Sequence, residues 1–215
     1  MARNKYPEET IKLIVDQSLK LFIEKGYENT SIQDIINNLG GLSKGAIYHH
    51  FKSKEEIFEA VCKKIGDDNT VYYRSIRDSK DLSGYEKLKV MVQSAYSNPN
   101  NEAVVAMTSK IGSDPKFLLA QITDIFEVVA PLYIQPVIEE GIMDGSIQTK
   151  YPKELSEVII VLVNIWINPI IAKTTPEEMK QKLEFFSCLL QGIGLNLLDQ
   201  ETISQYVEYC KNYVK

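Results

Sequence analysis

The chain has 215 residues, 44% of them apolar and 25% charged, with a formal net charge of −5. That composition belongs to a soluble globular protein with room for one large domain, or a small one fused to a larger one. The opening residues carry no apolar core of a secretory signal. The one extended apolar stretch, near Val158, is interrupted by Asn164, Asn168 and Pro169 and is too polar for a membrane span, so no membrane partner is expected.

Cys62, Cys188 and Cys210 are scattered without metal-ligand spacing. They suit a reducing cytoplasm, and neither a metal nor a cofactor is expected. The acidic total does not exclude nucleic acid, because the charge is unevenly placed. Residues 1–64 carry a net +1 and the remainder −6. From Thr30 to Lys54 three lysines and two histidines face the single acid Asp34. Local charge, not the total, sets phosphate affinity.

In chain order, Ile11, Ile14, Val15, Leu19, Phe22 and Ile23 repeat at three and four and predict an amphipathic helix that Gly26 stops. Thr30-Ser31-Ile32-Gln33 reads as a capping box with Thr30 as N-cap, opening a short helix through Ile32, Ile35, Ile36 and Leu39. Gly40-Gly41 ends it. Ser43 can cap a third short helix anchored by Ile47 and Phe51. Ser53-Lys54-Glu55-Glu56 is a second capping box and opens a fourth helix. Gly66-Asp67-Asp68-Asn69 is a poor helix interior, and the helix is expected to continue or restart through Val71–Ile76. Further helices are expected over Ser83–Ser97, Asn101–Ile111, Pro115–Met143, Pro152–Lys173, Pro176–Leu198 and Thr202–Val214, with breaks at Pro or Gly. The fold expected is all-α. A helix-turn-helix DNA-binding domain over 1–52 is joined by a connecting helix to a helical effector-binding and dimerisation domain over 53–215.

Lys44 to Lys54 carries the function. With Ile47 and Phe51 turned inward, the other face shows Lys44, Gly45, Ala46, Tyr48 and His49. A face small at its start and polar further along can enter a major groove. Lys44 can donate to guanine O6 or N7. Tyr48, His49 and His50 can donate to phosphates, as can Lys54 with the first turn of the fourth helix and Thr30 at the start of the second. Adjacent histidines point about 100° apart on a helix, and the chain has no others, so His49-His50 is not read as a metal site.

Gly26-Tyr27-Glu28-Asn29-Thr30-Ser31-Ile32-Gln33-Asp34-Ile35, followed by Leu42-Ser43-Lys44-Gly45-Ala46-Ile47-Tyr48-His49-His50-Phe51-Lys52-Ser53-Lys54-Glu55-Glu56, resembles the DNA-binding signature of the TetR family of regulators. The resemblance covers about residues 10–60. It implies a homodimer, repression of nearby genes through operator DNA, and release when a small molecule binds the body. It places the DNA contacts at Thr30, Gln33, Ser43, Lys44, Gly45, Ala46, Tyr48, His49, His50 and Lys54. Two features depart from the family pattern: Gly40-Gly41 adds a residue to the turn, and Ser18 replaces a small apolar residue.

Met91, Tyr96, Met107, Phe117, Phe126, Tyr133 and Trp166 are each most simply core residues. A subset of them with Asn168 is the candidate lining of an apolar effector cavity. Asn164 and Asn168, one turn apart on an apolar helix, can bind effector, pair with backbone or meet a second subunit. Gly192 reads as a mid-helix glycine costing about 1 kcal/mol against alanine. With Cys188 it forms a small-residue strip suited to a dimer seam. An enzyme or small-molecule carrier with a merely structural head is the alternative, but no nucleophile–base or ligand constellation is present. An adaptor without DNA would be expected to lose Thr30, Tyr48, His49 and Lys54.

Overall fold

The computed structural model describes residues 7–41, 44–97, 115–169, 171 and 174–211. Among these every regular element is helical. They form two compact units, the first comprising residues 7–41, 44–68 and 115–117, the second residues 69–97 and 118–211 as described. The division between these units falls inside the fourth helix, after Asp68.

In the first unit, α1 (Pro7–Lys25) buries Ile14, Val15, Leu21 and Phe22. It stops at Gly26, whose φ of 85° suits glycine and whose N–H reaches the Phe22 carbonyl. Ser18 is fully buried without penalty, because its hydroxyl donates to the Ile14 carbonyl at 2.7 Å. α2 (Ile32–Asn37) buries Ile35, and α3 (Lys44–His50) buries Ile47. Phe22, Tyr27 and Phe58 pack edge-on or tilted with ring centroids 4.6–6.0 Å apart. Phe117 joins this core, 4% exposed, although it lies far along the chain.

α4 (Lys54–Arg77) is one unbroken helix through the Gly66–Asn69 stretch. Lys63 and Asp67, one turn apart, form an ion pair at 2.8 Å on its surface there. Apolar residues before and after the polar stretch, Val61 and Tyr73, are buried and hold both ends.

The second unit continues with α5 (Gly84–Ser97), α6 (Pro115–Asp124), a π-helical segment π1 (Ile125–Ile134), α7 (Gln135–Asp144), α8 (Pro152–Val161), a second π segment π2 (Leu162–Trp166), α9 (Pro176–Gly192) and α10 (Gln200–Lys211). π1 contains Pro131, which has no N–H for the α ladder; the wider turn accommodates it. The π register is visible in Ile167 N–H bonding to the Leu162 carbonyl. Core residues include Met91, Ile125, Tyr133, Val137, Ile160, Val163, Phe186 and Tyr206. α5 and α7 approach closely: a Cβ at Gly84 would fall on the Gly141 backbone. Lys87, 2% exposed, donates to both oxygens of Glu140 at 2.6–2.7 Å beside this contact. Pairing is what permits so buried an ammonium.

Several expected boundaries move. The helix expected over Pro152–Lys173 ends with π2, because Pro169 follows and cannot continue the ladder. The one expected to reach Leu198 ends at Gly192. There Gly194, at φ 82°, makes a Schellman turn, with Leu195 N–H to Leu190 O and Gly194 N–H to Gln191 O. Gly192 is therefore the last residue of α9 and not a mid-helix glycine. The helix expected over Asn101–Ile111 lies outside the described residues. One helix, Phe117–Asp144, is long and apolar enough to cross a membrane by length and composition, so Val158 does not begin the only extended apolar stretch. Its apolarity is in part core packing, since Ile125, Val129, Ile134, Val137 and Ile138 are buried.

Candidate nucleic-acid interface

The α2 cap differs from the expected one. Ser31, not Thr30, is the N-cap; its hydroxyl accepts from Asp34 N–H at 3.1 Å, and Asp34 Oδ2 accepts from Ser31 N–H at 2.9 Å. Asp34 rather than Gln33 reaches back. Lys25 donates to Asp34 Oδ1 at 2.8 Å. That ammonium, with the Ser31 hydroxyl and N–H, holds the Asp34 carboxyl well below the usual carboxylate range. Thr30 is 1% exposed, and its hydroxyl donates to the Gly26 carbonyl at 2.7 Å. A phosphate could not reach that hydroxyl, so the expected side-chain contact at Thr30 is not available here. The reason is local: Gly26 in the left-handed region leaves its carbonyl to be satisfied, and Thr30 satisfies it.

Gln33 stands exposed on α2, donating to Asn37 Oδ1 at 2.9 Å. The turn passes through Gly40 at φ 60° and Gly41 at φ 108°. Both backbone conformations penalise side chains, so the extra residue in this turn is glycine for a steric reason.

α3 presents the expected face. Lys44, Gly45, Tyr48 and His49 are exposed, Ala46 and His50 are half-buried, and Ile47 and Phe51 are buried. Lys44 Nζ lies 5.8 Å from the Tyr48 ring centroid. The rings of His49 and His50 meet edge-on at 5.1 Å. Among the described residues no group of histidines, cysteines and acids could hold a metal. Ser43 lies outside the described residues.

At the start of α4, Ser53 Oγ accepts from Glu56 N–H, while Glu56 Oε2 accepts from Lys52 N–H at 2.6 Å. Lys54 is half-buried, with its ammonium donating to the Tyr27 carbonyl at 2.9 Å and lying 4.1 Å from the Tyr27 ring centroid. Its first role is to bind α4 to the end of α1.

The described effector candidates differ in burial. Met91 and Tyr133 are buried in the core of the second unit. Phe126 is 46% exposed. Trp166 packs against the same core and also lines a surface cleft with Phe185 and Lys182, whose ammonium donates to the Trp166 carbonyl. Asn168 is half-buried, and its carbonyl accepts from Ile171 N–H. The Tyr96 side chain and Met107 lie outside the described residues. The polar groups brought together inside the unit are instead Tyr73, Ser94 and Asn164, with the phenol hydrogen-bonded to both other side chains. Tyr73 gave no signal in the sequence, because a tyrosine at a helical core spacing is indistinguishable from packing.

Cys188 and Gly192 are exposed, and nothing lies within 4 Å of a Cβ built on Gly192. Phe185, Leu189 and Ile193 are exposed beside them at 58%, 43% and 48%.

A short helix with an exposed, small and basic face, carried on a packed three-helix head and followed by a larger helical unit, defines a helix-turn-helix transcription regulator. The family model for bacterial regulatory proteins of the tetR family matches residues 14–61. The HTH-type transcriptional repressor KstR2 of Rhodococcus jostii (strain RHA1) is 30% identical over 195 residues, covering 84% of this chain and 89% of that protein. A TetR-family regulator of Pectobacterium atrosepticum shares the fold with a TM-score of 0.66 at 21% identity, over 89% of this chain and 97% of that one. Salmonella enterica GusR does so with a TM-score of 0.62 at 14% identity, over 99% and 98%. The chain belongs to the TetR family.

Proposed function

We propose that this regulator is a cytoplasmic, non-enzymatic repressor that binds near-palindromic operator DNA as a homodimer and is released by a small, mostly apolar effector. The observation that carries the reading is the exposed Lys44–Gly45–Tyr48–His49 face of α3, held outward by the buried Ile47. The likeness to a protein named as a repressor supports the sense of regulation. Residues 1–52 serve as the reading domain and 53–215 as the effector and dimer domain.

Lys44 reads a base edge across Gly45 and Ala46, whose small side chains let the backbone approach the groove floor. Tyr48, His49, His50, Gln33 and Ser43 hold phosphates and register. Thr30 contributes only through the turn it stabilises, and Lys54 adds positive charge beside the α4 start.

The dimer forms through α9. Phe185, Cys188, Leu189, Gly192 and Ile193 recur at three and four on one exposed face, a stripe suited to packing against a second helix. Two heads must sit about 34–36 Å apart to engage successive major grooves. A ligand that shifts α4, which begins at Lys54 in the head and carries Tyr73 in the body, changes that spacing. The ligand must prefer the shifted state, since equal affinity for both changes nothing.

The test is fluorescence anisotropy with DNA fragments from upstream of the gene. Sequence-specific binding whose affinity falls steeply with salt is expected. No binding to any fragment of its own locus, or a salt-insensitive complex, would overturn the assignment and favour a helical small-molecule binding protein with a structural head.

A further inference from the structure

Inside the second unit, Tyr73 and Ser94 are among several polar side chains buried in the core. Tyr73 of α4 is 9% exposed and Ser94 of α5 is 3% exposed. The Ser94 hydroxyl donates to the Met91 carbonyl at 2.6 Å. The Tyr73 phenol hydrogen-bonds with the side chains of Ser94 and of Asn164 in π2. Burial, and to smaller degrees Tyr72 and Asp124, raise the phenol above its ordinary pKa.

Asp124 is the last residue of α6, and Gln121 lies three residues before it, on the same helix face. Gln121 Oε1 is buried with no hydrogen-bond partner. Buried acceptors in native proteins are nearly always satisfied, and one left over calls for a donor that the described residues do not supply. The patch also sits where the backbone departs from the α ladder. π1 starts immediately after Asp124, and Asn164 lies within π2. Such widened turns recur at functional sites.

The remaining requirement is thus a donor. A carboxylate would bring further acceptors beside Gln121 Oε1 and the Asp124 charge. A cation would have to lose its hydration to reach the buried Gln121 Oε1. We infer that the effector is an uncharged, largely apolar molecule whose hydroxyl donates to the buried Oε1 of Gln121. The inference rests on the effector-responsive reading above and names the chemistry of that site.

Isothermal titration calorimetry on the full-length protein at neutral pH tests it with four probes of one chain length: 1-octanol, methyl octyl ether, octanoate and octylamine. Octanol is expected to bind about tenfold or more tighter than the ether, which keeps the apolar tail but has no donor, and tighter than either charged probe. In Gln121→Leu the octanol-to-ether ratio should fall to near one while the ether still binds, which shows the variant is folded. Gln121→Glu, which keeps an acceptor at this position, should retain the preference. Absence of octanol binding, equal or tighter binding of octanoate or octylamine, or an unchanged ratio in Gln121→Leu overturns the inference. Operator binding measured with and without octanol separates the two readings. If octanol binds with the expected preference and leaves DNA affinity unchanged, the hydroxyl site stands and release by effector fails.

Discussion

Lys54 lays its ammonium over the ring of Tyr27 at 4.1 Å and donates to the Tyr27 carbonyl at 2.9 Å. The contact joins the first residue of α4 to the turn that ends α1, so one lysine serves both the packing of the head and its charge. Lys54→Met keeps the aliphatic stem and removes the bond. It is expected to lower stability by about 1–2 kcal/mol, read as a lower Tm, and to weaken binding to all DNA sequences alike. An unchanged Tm with lost DNA affinity would mean that the lysine acts on phosphate alone.

Lys44 and Tyr48 divide the reading of DNA between them. Lys44→Ala should cost about 1–3 kcal/mol on the cognate site and relax preference at one position. Tyr48→Phe should weaken cognate and random duplexes equally. Both are read by anisotropy against a panel of single-base operator variants. A uniform loss in Lys44→Ala would reassign that lysine to a phosphate.

The α9 stripe predicts its own disruption. Phe185→Glu and Gly192→Leu should both shift sedimentation from dimer toward monomer at micromolar concentration, the first by placing charge in an apolar seam and the second by bulk at the exposed Gly192. A wild-type monomer under the same conditions would remove α9 as the seam. Thiol labelling gives an independent reading. Cys210 is fully buried, and burial pushes its thiol up to about 12, so it should stay unreactive. Cys188 should label slowly in the dimer and quickly in the monomeric variants.

Acid should destabilise the body in a defined way. Asp199 caps α10, accepting from Thr202 N–H at 2.8 Å, and lies 3.2 Å from Lys89. The Thr202 N–H and hydroxyl, with Lys89 adding to them, pull its carboxyl down to about 2. A carboxyl lowered by folding contributes stability that is complete above its unfolded value, about 3.9, and is lost as pH falls toward the folded one. Thermal melts should therefore be insensitive to Asp199 ionisation at pH 6 and lose Tm below about pH 4. Asp199→Asn keeps the cap oxygen and should flatten this part of the slope; Asp34, lowered in the same direction, supplies another part.

Gly84→Ala tests the α5–α7 contact. The added methyl would meet the Gly141 backbone, which has no rotamer to move aside. A loss of about 1–3 kcal/mol is expected, seen as a lower midpoint in urea, against a gain of up to about 1 kcal/mol for Gly66→Ala, mid-helix where nothing lies within 4 Å.

Local chemistry made most of the head legible in the sequence. Helix periods, the Gly26 stop and the small basic face from Lys44 to His49 each depend on residues within a turn or two of one another, and the exposed face of α3 stands as its spacing predicts. The cap of α2 was ambiguous because Thr30 and Ser31 are both good caps with a partner three residues on. The competition was settled by the Gly26 carbonyl, which takes the Thr30 hydroxyl, and by Lys25, which favours Asp34 as the reaching group. The body was legible only as helices. Whether an apolar residue faces core or solvent on a helix with apolar residues all round depends on which neighbours pack against it. Phe126 turns out while Tyr133 turns in, and Phe117 joins a core whose other members lie more than fifty residues earlier. Tyr73, Ser94, Gln121 and Asn164 come from four separate elements, and no spacing along the chain connects them. The meeting of Tyr73 with Ser94 and Asn164, and the unpaired oxygen of Gln121, exist only in the tertiary structure, because burial and hydrogen-bond satisfaction are properties of the packed interior and not of any one segment.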